Sequence, residues 1–374
     1  MENVKKDKFD ELGQKRTLWL EEGHEPKTMI ENSLNSFSKY LKKGRLVLIL
    51  DKIIDLVDEV KTFRFRSENK ESFPTFKPGQ YIAITIKIGG RYLTETYTLT
   101  SLPNEAIDGI YEITVFKNNN PVTKYLFESV KENDILVSSS PCGDFYYDRV
   151  RDSKNVIAIT GFDEVLPIYA MAKSDTFEYH YNMTIFYYGE SLKDLKLKNE
   201  FERLKEETSR IKVIYVLSKE EKNGYQKGYV SLNKIKPELE DDSCIFISCH
   251  ESMLNYFDKE LEELCLPLKY IHYYKWKNDV NIRPVQTFNL TIYINDEKFE
   301  TKCYNNKTIL QSILELGIYV PSKCQNGTCG LCQSELVFGK VKIINDERSI
   351  SDKKYNFIHP CVTYPLSDIE IIIR

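Results

Sequence analysis

Cys324-Gln325-Asn326-Gly327-Thr328-Cys329-Gly330-Leu331-Cys332 sets three cysteines at C-x4-C-x2-C spacing, and Cys361 supplies a fourth near the end of the chain. Thiolates are soft ligands that suit iron–sulfur chemistry, and this is the spacing by which four of them hold a 2Fe–2S cluster. Gly327 and Gly330 let the backbone curl so that its N–H groups can face the cluster sulfurs. A structural zinc site is the competing reading. Zinc ligands usually come as two short-spaced pairs, whereas here three lie in one loop and the fourth stands alone. A Rieske centre needs two histidines, and the only one nearby is His359.

Around this loop the chain resembles the plant-type ferredoxin family. The resemblance is carried by Ile318-Tyr319-Val320-Pro321, Gly339-Lys340-Val341 and Cys361-Val362-Thr363-Tyr364-Pro365-Leu366-Ser367-Asp368. It implies an α+β domain of the β-grasp type over 287–374. The local patterning agrees. Leu290, Ile292 and Ile294 alternate up to Asn295-Asp296, and Phe299 follows on a return strand, which is a hairpin signal. Thr308 to Leu316 reads as a short helix, with Gly317 placed to end it.

The 374 residues allow two or three domains. The 52 basic and 56 acidic residues give a net charge of −4, without the basic surplus of a nucleic-acid binder. Met1 to Asp10 is charged and lacks the apolar core of a secretory signal, and no run reaches the length of a membrane span, so a cytoplasmic location is expected. Nine cysteines in such a chain point to metal or redox use rather than a disulfide scaffold. Cys142, Cys244, Cys249, Cys265 and Cys303 share no spacing and read as buried, inert thiols.

Upstream of the cluster domain the pattern changes several times. Residues 1–44 read as a polar helical extension, with Ile30, Leu34, Phe37 and Leu41 on one apolar face. From 45 to 149, short alternating runs (Leu46 to Leu50, Phe63 and Phe65, Ile82 to Ile88, Tyr111 to Val115) are punctuated by Pro78-Gly79, Gly89-Gly90 and Pro141-Cys142-Gly143. They predict an antiparallel β-barrel. From 150 to 276, buried runs at Val156 to Thr160, Thr184 to Tyr188, Val213 to Leu217 and Cys244 to Ser248 alternate with helical stretches such as Asn199 to Glu207 and Ser252 to Leu264. That predicts an α/β domain with a parallel sheet. Residues 277–286 read as a linker.

A barrel, then a parallel-sheet domain, then a plant-type ferredoxin resembles the ferredoxin-NADP reductase superfamily, and more narrowly oxygenase reductases and hybrid-cluster protein reductases. Pro78-Gly79-Gln80-Tyr81 matches the usual start of a barrel strand. Glu95-Thr96-Tyr97-Thr98 stands where the family has Arg-x-Tyr-Ser/Thr. The resemblance implies that Tyr97 packs on the flavin ring of FAD and that Thr98 bonds it near the reactive nitrogen. The arginine that holds the cofactor phosphate is Glu95 here. Arg91, or Lys124 in Pro121-Val122-Thr123-Lys124-Tyr125-Leu126, are the possible replacements, with Thr123 expected to cap a helix whose N–H groups face phosphate. FMN is open as an alternative flavin.

The nucleotide domain departs further from the resemblance. The turn Thr160-Gly161-Phe162-Asp163-Glu164-Val165-Leu166-Pro167 keeps Gly161 and Pro167, but puts Phe162 and Glu164 where glycines allow close backbone approach. Cys249-His250-Glu251 replaces a Cys-Gly-Pro turn. Added side chains and added acids both oppose NAD(P)H.

Two functions are therefore expected. In the first, electrons pass from NAD(P)H through FAD to the 2Fe–2S cluster and on to a protein acceptor. In the second, the chain is a relay subunit of a larger redox complex, and its reductase-like domains no longer bind pyridine nucleotide. A redox sensor is a third class that no residue specifically supports. Neither main reading needs a catalytic acid–base residue, because the cofactors carry the chemistry.

Overall fold

The alternating run at the start of the chain folds as expected into six antiparallel strands. They are β1 (Leu46–Val57), β2 (Val60–Arg66), β3 (Tyr81–Ile88), β4 (Arg91–Thr98), β5 (Ile110–Phe116) and β6 (Ile135–Ser138), ordered β4-β3-β6-β1-β2-β5. A bridge between Leu99 and Ile113 joins the two edges and closes the barrel. Inward positions are filled by Phe63, Phe65, Ile82, Ile84 and Tyr111, each fully buried, and Tyr111 stacks on Phe73 at 4.4 Å. Ile88 breaks the alternation and is 40% exposed, because it borders the Gly89-Gly90 hairpin tip. Helix α1 (Pro121–Glu128) lies against β3 and β4. The computed structural model describes residues 45–68, 71–174, 181–250, 253, 267–274, 284–295, 297–344 and 346–373. The expected N-terminal helix, the helix from Ser252 apart from Met253, Cys265 and most of the 277–286 linker lie outside them.

The second sheet holds β7 (Asn155–Gly161), β8 (Asn182–Gly189), β9 (Ile211–Leu217), β10 (Gln226–Lys227), β11 (Cys244–Ser248) and β12 (Ile271–Tyr273), in the order β10-β9-β8-β7-β11-β12. Every neighbouring pair is parallel. The continuous apolar runs of β7 and β11 are what a sheet covered on both faces requires. Chain order reverses at β7, which has β8 on one side and β11 on the other. The crevice beyond the carboxyl ends at such a switch point is where ligands bind in open α/β sheets. Helix α2 (Leu166–Ser174) leaves β7 there, and α3 (Lys198–Glu207) follows β8.

The third sheet is mixed. It is built from β13 (Thr287–Ile294), β14 (Glu297–Tyr304), β15 (Ser334–Phe338), β17 (Phe357–Ile358) and β19 (Ile369–Ile373), in the order β14-β13-β19-β15-β17, while β16 (Val341–Ile343) and β18 (Thr363–Pro365) pair separately. Helix α4 (Ile309–Glu315) starts at a capping box between Thr308 and Gln311, a reciprocal bond pattern that satisfies first-turn donors. Gly317, at φ +87°, follows its end. The cysteine loop fills the chain between α4 and β15.

Residues 44–374 form one compact unit. Lys173 of α2 donates to the Thr100 carbonyl of the barrel at 2.9 Å. The Arg45 guanidinium lies 3.1 Å from the ring centre of Tyr319 on the cluster side. Among the described residues, no helix is long and apolar enough to cross a membrane.

Candidate functional site

The three loop cysteines and Cys361 lie next to one another. Cys324, Cys332 and Cys361 are buried, and Cys329 is exposed. Cys324 Sγ accepts a bond from the Cys329 amide at 3.4 Å. The Cys329 and Cys361 thiols lie within hydrogen-bond reach of Cys324, and Cys361 also reaches Cys332. These contacts hold Cys324 and Cys332 below the ordinary thiol range and push Cys329 and Cys361 above it. Among the described residues, no three His, Cys, Asp or Glu side chains converge on a single-ion site. Four neighbouring thiols suit a two-iron cluster.

The loop backbone shows why its glycines are there. Gln325, Gly327 and Gly330 all have positive φ, at 56°, 85° and 68°. At Gly327 a Cβ would also lie 2.8 Å from Val362 Cγ2. His359 braces this loop from behind. It is buried, its Nδ1 donates to the Gly327 carbonyl at 2.6 Å, and its Nε2 lies 3.6 Å from Asp352. The remaining described cysteines are buried, as expected, and burial pushes the thiols of Cys142, Cys244 and Cys303 up to about 12.

Tyr97 and Thr98 end β4 inside a cavity of about 550 Å³. All three domains wall it. The barrel contributes Tyr97, Thr98 and Asn120, the parallel-sheet domain Asp163 and Leu166, and the cluster domain Gln311. Tyr97 Oη and Thr123 Oγ1 share a hydrogen bond of 3.1 Å. Thr98 Oγ1 is buried and has no hydrogen-bond partner of normal geometry, although the buried Tyr274 phenol lies near enough to interact with it. A buried hydroxyl left open in this way calls for a ligand acceptor or donor. The lining thus fits a flavin ring held by Tyr97 and Thr98.

The phosphate end differs from expectation. Asn120, not Thr123, caps α1, and its Oδ1 accepts from the amides of Val122 and Thr123 at 2.8 and 3.5 Å. Glu95 accepts from the Asn120 side-chain amide and so locks the cap. Lys124 is exposed and does not line the cavity. Arg91 lines a separate cavity with Lys302 and Lys307. Among the described residues, the charged side chains on the flavin-type cavity are Glu95 and Asp163, leaving the Asn118–Asn120 amides to meet a phosphate.

At the switch point of the parallel sheet lies a cavity of about 660 Å³, lined by Gly161, Phe162, Glu164, Tyr188, Glu190, Tyr229 and Cys249 among others. A Cβ at Gly161 would stand 2.7 Å from the Tyr188 carbonyl, so this glycine is needed for strand packing. Phe162 takes φ +52°, in the left-handed region that favours glycine, and its ring meets Tyr188 edge-on at 5.8 Å. Pro167 is buried in the first turn of α2, behind the cavity. Burial, and then Asp163, push the Glu164 carboxyl up to about 8. The rise favours the protonated form of this acid of the turn. Its carbonyl accepts from Thr160 Oγ1 at 3.1 Å and Ser248 Oγ at 2.6 Å, tying the turn to β7 and β11.

Sequence reading passed over Tyr188, Glu190 and Tyr229. The signal for the first two was their position at the end of the buried Thr184 to Tyr188 run. Tyr229 is brought over from beyond β10, and its ring lies 6.0 Å from that of Tyr188. Glu190 also pairs with exposed Lys219 at 2.8 Å.

Residues 47–147 match the oxidoreductase FAD-binding domain, 160–259 the oxidoreductase NAD-binding domain, and 292–366 the 2Fe-2S iron-sulfur cluster binding domain. The chain thus joins an oxidoreductase FAD-binding domain, an oxidoreductase NAD-binding domain and a 2Fe–2S domain, in that order. It is similar to flavohemoprotein A of Dictyostelium discoideum, 26% identical over 243 residues that cover 60% of this chain and 58% of that one. It is also similar to the glycine betaine monooxygenase reductase subunit of Chromohalobacter salexigens, 21% identical over 349 residues, covering 86% and 93%. The chain spans about half the length of the flavohemoproteins it matches, at 58%, 55% and 54%. Its fold is shared with phthalate dioxygenase reductase, described as a modular structure for electron transfer from pyridine nucleotides to [2Fe-2S]. There the TM-score is 0.66 at 18% identity, over 89% of this chain and 98% of that one.

Proposed function

We propose that the chain takes a hydride's two electrons from a reduced nicotinamide dinucleotide onto FAD and delivers them singly through its 2Fe–2S cluster to a protein acceptor. The observation that carries this reading is the cavity around Tyr97 and Thr98, to which all three domains contribute walls. A flavin there is the natural exchange point between a two-electron donor and a one-electron cluster. Cys324, Cys329, Cys332 and Cys361 would hold the irons. Tyr97, Thr98 and Thr123 would orient the flavin, with Asn120 in place of Lys124 at its phosphates. Gly161 would admit the dinucleotide, with Pro167 shaping the turn behind it.

Glu190, at the carboxyl end of the second parallel strand, suits a free ribose hydroxyl better than a 2′-phosphate, which favours NADH over NADPH. The acceptor would dock where Cys329 and Leu331 leave the loop edge exposed. The monooxygenase reductase likeness supports an oxygenase-type metalloprotein as that acceptor. The described cysteines are all free, which suits a reducing cytoplasm. The domain limits we adopt are 45–149, 150–276 and 287–374, with an extension at 1–44 and a linker at 277–286.

The test is anaerobic titration of the purified protein with NADH and with NADPH, followed by absorption. Flavin bands that bleach together with the cluster bands are expected, at lower concentration for NADH. Cluster bands indifferent to both nucleotides would overturn this reading and leave the relay subunit.

A further inference from the structure

Two further features of the barrel sequence are the tyrosine of Pro78-Gly79-Gln80-Tyr81 and the turn Pro141-Cys142-Gly143. They meet at the cluster loop. Tyr81 opens β3 and is 5% exposed. Its backbone pairs with Thr98 on one side and with Cys142 on the other, by bonds of 3.0 and 2.9 Å to Cys142. Its Oη donates to the carbonyl oxygen of the cluster ligand Cys324 at 2.6 Å, across 243 residues of sequence. Cys142 Sγ approaches the preceding carbonyl, that of Lys323, at 3.8 Å. Gly143, at φ +108°, gives the phenol ring its room, since a Cβ there would stand 2.8 Å from Tyr81 Cε1. Tyr81, Cys142, Phe145, Tyr274 and Cys324 share one buried apolar cluster. A hydrogen bond in such a dry seam is electrostatically strong and costly to leave unmade.

We propose that Tyr81 is a positioning residue that clamps the cluster loop to the barrel and so fixes the electronic contact between the flavin site and the cluster. The inference rests on the functional reading above. From Thr98 in the flavin-type cavity, one strand pairing and one side-chain hydrogen bond reach the main chain of Cys324. With both groups bound, the flavin would supply single electrons that the cluster held by Cys324, Cys329, Cys332 and Cys361 would accept. No bond to Tyr81 forms or breaks, and its phenol keeps its proton. The phenol also polarises the peptide of a ligand, and groups just outside the ligand shell tune a metal centre in this way.

The test compares the cluster-loaded protein with its Tyr81→Phe and Gly143→Ala variants. Amide hydrogen exchange over residues 318–333, measured without any reductant, is expected to be roughly tenfold faster in both variants, because a buried bond that holds the loop closed is lost or displaced. The cluster midpoint potential, followed by EPR, is expected to fall in Tyr81→Phe. After rapid mixing with NADH, the flavin phase should keep its rate and the cluster phase should slow. Loop exchange and potential equal to those of the parent protein would overturn the clamp. A parent flavin that ignores NADH would count against the functional reading alone, because exchange and potential need no nucleotide.

Discussion

Replacing Glu164 by glutamine should make the protein more stable at neutral pH and leave that gain absent in acid. The carboxyl stands at the nucleotide cavity with Oε2 buried and unpartnered, and burial, then Asp163, raise its pKa from 4.5 to about 8. A raised folded-state pKa means that the native form holds a proton which the unfolded chain has released. Stability from this group is complete below pH 4.5 and is lost as pH rises toward 8. The loss runs at about 1.4 kcal/mol per pH unit, so that by pH 7 it is at most about 3 kcal/mol. An amide of the same shape carries no such cost. Thermal unfolding of both proteins from pH 4.5 to 9 should show melting temperatures that diverge with pH, by roughly 5 °C or more at pH 7.5, and run parallel above about pH 8. Dinucleotide affinity of the parent should fall above the same pH while that of Glu164→Gln does not. Melting curves offset by a constant amount at every pH would refute the assignment of a buried, neutral carboxyl.

Three further outcomes are expected. Cys361→Ala should abolish iron and labile sulfide and the visible absorption with them, since a four-thiolate site has no other ligand to offer; full iron content in that variant would remove Cys361 from the site. Glu95→Gln keeps an acceptor for the Asn120 amide but takes a negative charge from the flavin-type cavity, so FAD should bind several-fold tighter in a fluorescence titration; unchanged affinity would show that the phosphates lie elsewhere. Asn120→Ala should cost about 1 kcal/mol as a lost N-cap, seen as a lower melting temperature; a variant as stable as the parent would mean that Glu95 or solvent satisfies the first turn.

The sequence by itself determined the cysteine spacing of the 2Fe–2S domain, the three domain types and most strands. Those features are local. Ligand spacing is a property of one loop, and strand alternation or continuous apolar runs report which faces are buried whatever the rest of the chain does. It also placed Tyr97 and Thr98 beside each other at the end of β4. It misjudged the helix cap, because Asn120 and Thr123 are both plausible capping residues and only the backbone angle at Asn120 chooses between them. It could not show that the Glu164 carboxyl is raised, because ionisation depends on burial and burial of a turn is a tertiary outcome. Only the tertiary structure brought Gln311 to the flavin-type cavity, Tyr229 to the nucleotide cavity, and the Tyr81 phenol to the carbonyl of Cys324. Contacts between side chains that lie far apart in the chain leave no periodicity and no motif. They are decided when the separate domains bury their faces against one another.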